Sequence, residues 1–166
     1  AAIIRDPETY EHYEQVILTH TCREVAELEY GRELVEAVRQ DPLVGEFAAP
    51  KLVYYPSVTR EAFERTGRIT QLIDEGVIFD ELGAPPLNPK DDRVMICGSM
   101  EMIEDCKIRC ERAGLTEGSN ARPAEYVVEK AFVGRCARAQ RGKCRNYPPP
   151  PRADRHRCAP GPDRFH

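Results

Sequence analysis

Three short runs, apolar at consecutive rather than alternate positions, set the frame of this chain. Val16-Ile17-Leu18 ends in Thr19-His20-Thr21, Leu52-Val53-Tyr54-Tyr55 ends in Pro56-Ser57, and Val94-Met95-Ile96-Cys97 ends in Gly98-Ser99. Continuous runs of β-branched and aromatic residues predict strands buried on both faces. Helical patterns lie between them. From Glu24 to Gln40, Val25, Leu28, Leu34, Val35 and Val38 recur at helical spacing until Asp41-Pro42 stops the run. From Ser99 to Ala113, Met102, Ile103, Cys106 and Cys110 share one side, with Ser99 placed to cap the start and Gly114 to end the helix. A last strand is predicted at Tyr126-Val127-Val128, running into Ala131-Phe132-Val133. Strands alternating with helices imply right-handed βαβ crossovers and an α/β, Rossmann-like fold, a mostly parallel sheet flanked by helices. Ligands bind such sheets at the C-terminal ends of the strands. That rule singles out Thr19 to Arg23, Ser57 to Arg60 and Cys97 to Ser99.

The pattern stops after Gly134, and composition changes with it. Residues 135–166 hold Pro148 to Pro151 in a row, eight Arg and Lys143 against Asp154 and Asp163, and no strand or helix periodicity. This Pro/Arg-rich tail is predicted to be disordered. Its net charge is +7 and that of the first 134 residues is -11, which together give the chain's -4. One domain over residues 1–134 followed by a tail fits the length of 166 residues. No apolar run approaches the roughly 20 residues needed to cross a bilayer, and no basic segment and apolar stretch open the chain. The chain therefore reads as cytoplasmic, with no membrane partner. Seven Cys without repeating spacing read as reduced thiols. His12 and His20 lack metal-ligand spacing to any Cys. Cys106 and Cys110 suit a half-buried helix face better than a zinc pair, and Cys136, Cys144, His156 and Cys158 fit no common zinc module, so no metal is predicted.

Arginines follow the first two strands. Arg23 closes strand one, Arg60 follows strand two, and Arg68 comes shortly after in Arg65-Thr66-Gly67-Arg68. Three guanidinium groups on one rim of a sheet suit a dianionic phosphate, because Arg offers planar bidentate donors and stays charged. Such a phosphate distinguishes NADP from NAD. Spacing alone leaves the other reading open, that these are solvated loop arginines.

The local sequences decide further. Thr19-His20-Thr21-Cys22-Arg23 with Ala26-Glu27-Leu28, then Tyr54-Tyr55-Pro56-Ser57-Val58-Thr59-Arg60-Glu61, then Gly67-Arg68-Ile69-Thr70, resemble the NADP-binding domain of bacterial ferredoxin/flavodoxin NADP reductases. Arg93 to Met100 is similar to that family's cysteine-glycine turn, and Gly118-Ser119-Asn120 through Val133 to its C-terminal strand. The resemblance covers roughly Ala1 to Gly134. It implies that Arg23, Thr59, Arg60 and Arg68 grip the adenosine 2′-phosphate, and that Cys97, Gly98 and Ser99 line the nicotinamide pocket. It also implies that Glu129 helps relay protons near the flavin, with Ala131 and Phe132 beside it. Cys97 and Glu129 are thus the residues expected nearest the chemistry. The whole parent would pass a hydride between NADP(H) and FAD and exchange electrons with ferredoxin or flavodoxin. Read without the resemblance, Cys97 is a buried strand-end thiol and Glu129 a solvent-facing strand residue.

Two departures from the family qualify these expectations. The family's flavin-binding barrel, with its Arg-x-Tyr-Ser type motif, has no counterpart in the 166 residues, nor do the glycine-rich turn and strand that open its nucleotide domain. The chain is therefore read as a fragment, inactive alone. Val16 to Leu18 and Val94 to Cys97 are expected to keep unpaired backbone groups, each costing about 1 to 3 kcal/mol if buried, and a marginal fold follows. The tail is the second departure. A shifted reading frame explains its composition best, and a basic arm for nucleic acid or an acidic partner is the competing reading. A stand-alone nucleotide-binding module or subunit, without redox activity of its own, is the alternative to the reductase fragment.

Overall fold

A computed structural model describes residues 2–119 and 121–129, all within one compact unit. Ala131, Phe132 and the tail at 135–166 lie outside the described residues. The chain opens with a 3-10 turn at Ile3–Arg5 and the short helix α1 (Pro7–His12), whose start is fixed by two local devices. Asp6 accepts from the Glu8 N–H at 3.0 Å, and Pro7 occupies a position where its missing N–H costs nothing. Strand β1 (Val16–Cys22) leads through a 3-10 turn at Val25–Leu28 into α2 (Glu29–Arg39). Helix α3 (Gly45–Lys51) runs directly into β2 (Leu52–Val58). Then come α4 (Ile69–Asp74), α5 (Val77–Leu82), β3 (Val94–Cys97), α6 (Met100–Arg112) and β4 (Tyr126–Glu129).

The α/β class and the parallel pairing expected from the apolar runs are both present, in a divided form. β1 pairs with β2 over seven residues, Val16 opposite Leu52 through Cys22 opposite Val58. β3 pairs with β4 over four, Val94 opposite Tyr126 through Cys97 opposite Glu129. Each ribbon is a separate two-stranded sheet, so among the described residues β1 and β3 each pair along one edge only. Burial on both faces, expected from the runs, is incomplete for the same reason. Ile17 is 38% exposed and Met95 44%, while Ile96 beside it is buried.

Two apolar clusters hold the unit together. Ile4, Tyr10, Val35, Val38, Val44, Ala48 and Leu52 join α1, α2, α3 and β2. Tyr55, Ile69, Leu72, Ile96, Ile103, Cys106, Cys110 and Tyr126 join β2, α4, α6 and the β3–β4 ribbon. β2 serves both clusters because Leu52 and Tyr55, an odd number of positions apart, project from opposite faces of the strand. Each fully buried large side chain contributes about 1.5 to 3 kcal/mol of transfer free energy. Polar ties add direction to the packing. Arg109 on α6 grips Asp74 on α4 through two bonds of 2.5 and 3.2 Å, and the buried Tyr10 hydroxyl donates to the Ile4 carbonyl at 2.6 Å. Ser99 caps α6 by accepting from the Met102 N–H at 3.3 Å, and Gly114, at φ +88, turns the chain away after it.

Candidate functional site

The four strands run parallel within their pairs, and the residues singled out in the sequence stand at or just beyond the strands' C-terminal ends. At the first ribbon, hydrogen bonding continues past the last strand residues. The Thr59 N–H donates to the Cys22 carbonyl and the Arg60 N–H to the Arg23 carbonyl, each at 3.0 Å. The backbones of Arg23 and Arg60 are therefore adjacent, with Thr59 continuing the register opposite Arg23; both arginines are exposed, and neither is in a salt bridge among the described residues. The Thr59 hydroxyl donates to the same Cys22 carbonyl at 3.3 Å, which leaves its oxygen free to accept.

A glutamate builds the turn that carries Arg23. The Glu27 carboxylate accepts from the Arg23 N–H at 2.8 Å and the Glu24 N–H at 3.2 Å, the reciprocal capping pattern of a helix start. The Arg23 and Glu24 backbone donors hold this carboxyl below the usual carboxylate range. Glu61 accepts from the Val25 N–H at 3.2 Å and so ties the Arg60 side to the same turn.

The loop after β2 closes on its own starting point. The Val58 N–H donates to the Arg65 carbonyl at 3.0 Å and the Gly67 N–H to the Val58 carbonyl at 2.8 Å. Gly67 adopts φ +139, a conformation that a side chain would strain. Arg68 follows at the start of α4, next in the chain to the Gly67 that bonds to Val58. Its guanidinium lies 3.9 Å from the Glu101 carboxylate in the first turn of α6, and both side chains are largely exposed. Arg65, by contrast, faces inward: it pairs with Glu81 at 2.5 Å and lies 4.6 Å over the Tyr55 ring.

The second ribbon supplies the other candidates. Cys97 ends β3, exposed, directly opposite Glu129 at the end of β4, so the register puts the two on adjacent strands. Gly98 follows, and the space a side chain would need there is filled by the Met102 thioether. Ser99 spends its hydroxyl oxygen on the α6 cap. The Arg68–Glu101 contact joins this turn to the arginine-bearing loop.

The structure thus unites Arg23, Thr59 and Arg60 through backbone bonds, turns the Arg68 guanidinium toward Glu101, and pairs Cys97 with Glu129 in register. Ala131 and Phe132 lie outside the described residues. Sequence reasoning missed Glu27, whose Glu-x-x-Glu spacing with Glu24 is a legible capping signal, and Glu101, which only the packing of α6 brings to Arg68. Among the described residues a shallow, open depression lies elsewhere, along α2, lined by Glu29, Arg32, Glu33, Glu36, Ala37 and Gln40.

No family profile matches the chain. Individual relatives do. It is 53% identical over 134 residues to a flavodoxin/ferredoxin–NADP reductase of Rhodobacter capsulatus, a match covering 81% of this chain and 50% of that protein. A ferredoxin–NADP reductase A of Sorangium cellulosum is 51% identical over 133 residues, covering 80% and 48%. A ferredoxin–NADP reductase of Azotobacter vinelandii is 44% identical, covering 80% and 52%. Among solved structures, a ferredoxin NADP+ reductase from Neisseria gonorrhoeae with bound FAD and NADP superposes with a TM-score of 0.63 at 25% identity, covering 78% of this chain and 50% of that one. The chain spans about half the length of the curated relatives it matches, and over that half it is similar to ferredoxin/flavodoxin–NADP reductases.

Proposed function

We propose that residues 1–134 form the NADP(H)-binding domain of a ferredoxin/flavodoxin–NADP reductase, with Arg23, Arg60 and Arg68 as the site of the adenosine 2′-phosphate. The observation that carries this reading is the hydrogen bond from the Arg60 N–H to the Arg23 carbonyl, which brings the backbones of two exposed arginines, neither in a salt bridge among the described residues, together at the ends of parallel strands. A dianionic phosphate between them would accept charge-assisted bonds from both, with the Thr59 hydroxyl at the flank. Arg68 joins by exchanging Glu101 for the phosphate. The nicotinamide end would lie at Cys97, Gly98 and Ser99, where the exposed Cys97 thiol offers a soft, polarizable surface to the ring and Glu129 stands on the neighbouring strand to hold a proton. Space at Gly98 requires the flexible Met102 side chain to swing aside.

When bound, NADP(H) supplies or accepts the hydride, and the FAD of a whole reductase is its counterpart. The relatives' names point to ferredoxin or flavodoxin as the electron partner. Among the described residues no helix is long and apolar enough to cross a membrane, and we place the protein in the cytoplasm without a nucleic-acid partner. The 166-residue chain by itself is expected to bind nucleotide without oxidising NADPH. Calorimetric titration with 2′,5′-ADP and with 5′-AMP tests the site. Preference for 2′,5′-ADP is expected, and Arg60→Ala should reduce that preference by about tenfold or more, since a hydrogen bond to a charged group contributes about 1.5 to 3 kcal/mol. Equal affinity for both ligands overturns the assignment.

A further inference from the structure

A second constellation lies just behind the arginine rim and takes no part in holding the phosphate. The Cys22 sulfur is 3.2 Å from His20 Nε2, and His20 Nδ1 is 2.9 Å from the Tyr54 hydroxyl. The Tyr54 hydroxyl in turn donates to the Leu28 carbonyl at 3.3 Å. The Cys22 S–H has two acceptors in reach, the Glu27 carbonyl at 3.7 Å and His20 Nε2, and one tautomer of the ring serves the second. Tyr54 gives its proton to Leu28, so its oxygen accepts from His20 Nδ1–H, and the lone pair on Nε2 faces the Cys22 thiol.

The fold makes room for this arrangement. Gly31 in α2 packs against His20 and Tyr54, and a methyl group there would overlap both the imidazole and the hydroxyl. The alternating geometry of β1 puts His20 and Cys22 on one face, and the parallel register brings β2 alongside. Burial holds His20 below the ordinary imidazole value, against a smaller opposing pull from Glu27, so the ring is neutral at rest and a weaker base than a free imidazole. Burial and Glu27 push the Cys22 thiol up, which keeps the proton on sulfur in the resting state.

A nucleophile, a base within hydrogen-bond reach and a third group that orients the base make up the general pattern of an activated thiol. We propose that Cys22 is a thiol-modification site that exchanges with small-molecule disulfides, with His20 as its proton acceptor and Tyr54 as the residue that positions the imidazole. Cys22 sulfur attacks one sulfur of the disulfide while its proton passes to His20 Nε2. The disulfide's S–S bond breaks and a mixed disulfide forms on Cys22. The departing thiolate takes the proton from His20 and leaves as a free thiol, so Cys22 is oxidised and half of the reagent is reduced.

The other thiols supply internal references. Cys97 is exposed with Glu129 on the neighbouring strand and, among the described residues, no imidazole bonded to it, while Cys106 and Cys110 are buried in the core and report on unfolding. The full chain, reduced and then exposed to 2-hydroxyethyl disulfide, is digested at intervals and the occupancy of each cysteine read by mass spectrometry. Cys22 is expected to react faster than Cys97 despite its lesser exposure. His20→Asn should slow Cys22 by about tenfold or more, at the lower edge of what a positioned base contributes, and leave Cys97 unchanged. Should His20→Asn unfold the chain, Cys106 and Cys110 become reactive, and Tyr54→Phe, expected to slow Cys22 severalfold, takes its place. Cys22 reacting no faster than Cys97 in the unsubstituted chain overturns the proposal. So does a Cys22 rate unchanged by His20→Asn while Cys106 and Cys110 stay protected.

Discussion

The two ribbons of this protein solve different problems with the same parallel pairing. The β1–β2 ribbon is seven pairs long, and its bonding runs on into the loops, so that Arg23 and Arg60 are seated by backbone on both sides. The β3–β4 ribbon is four pairs long and ends at Cys97 and Glu129. Its support comes from below, where Ile96, Ile103 and Tyr126 pack with α4 and α6. Both ribbons pack on apolar clusters, and what sets the first apart is the hydrogen bonding that continues past its strand ends to the arginines. The difference suits their proposed tasks: a phosphate needs donors fixed in direction, and a flat ring needs a surface.

That contrast can be broken most forcefully through the core. Ile103 is 2% exposed beneath the second ribbon, and Ile103→Ala is expected to cost about 2 to 5 kcal/mol. Hydrogen exchange should rise first at Val94 to Cys97 and Tyr126 to Glu129, with Val16 to Cys22 protected for longer. Equal loss of protection in both ribbons would show them to be one cooperative unit. A smaller effect is expected from acid. Because His20 is held below its ordinary value, the unfolded chain takes up this proton at a higher pH than the folded chain does. The folded state therefore keeps its full stability above about pH 6.5 and loses part of it as pH falls through the depressed value. Urea unfolding midpoints should fall across that window, and His20→Gln should flatten the dependence. Cys22, Tyr54 and Glu27 are the titratable groups that face the ring, and they remain in the variant. The smallest effect is at the seam between the ribbons. The exposed Arg68–Glu101 contact at 3.9 Å contributes about 0 to 1 kcal/mol. Glu101→Gln should free Arg68 and tighten 2′,5′-ADP binding by about fivefold at most, which the same titration measures.

How much of this was legible beforehand varies with the length of the signal. β1, β2 and β3 were readable as apolar runs, and α6 as thirteen residues between a capping Ser99 and Gly114. α1, α3, α4 and α5 were not foreseen. Each is six or seven residues long, fewer than two full turns, and too short to display a 3.6-residue period. The division into two ribbons was visible only as an expectation of unpaired strand edges, since sequence shows which residues form strands more readily than which strands meet. At the site, the arginines could be found because position after a strand is a property of the chain itself. Glu101 could not, because nothing in the sequence links it to Arg68 until α6 packs.

The loop that leaves β2 and closes again on Val58 has a consequence for how such a protein can vary. Val58 bonds to Arg65 on one side and Gly67 on the other, so the span between Arg60 and Arg68 is pinned at its neck. Insertions or deletions beside the exposed Ala62, outside that neck, are expected to change the loop's length without moving either arginine. A lineage could therefore rework this loop to meet a new neighbour while its nucleotide preference is inherited unchanged.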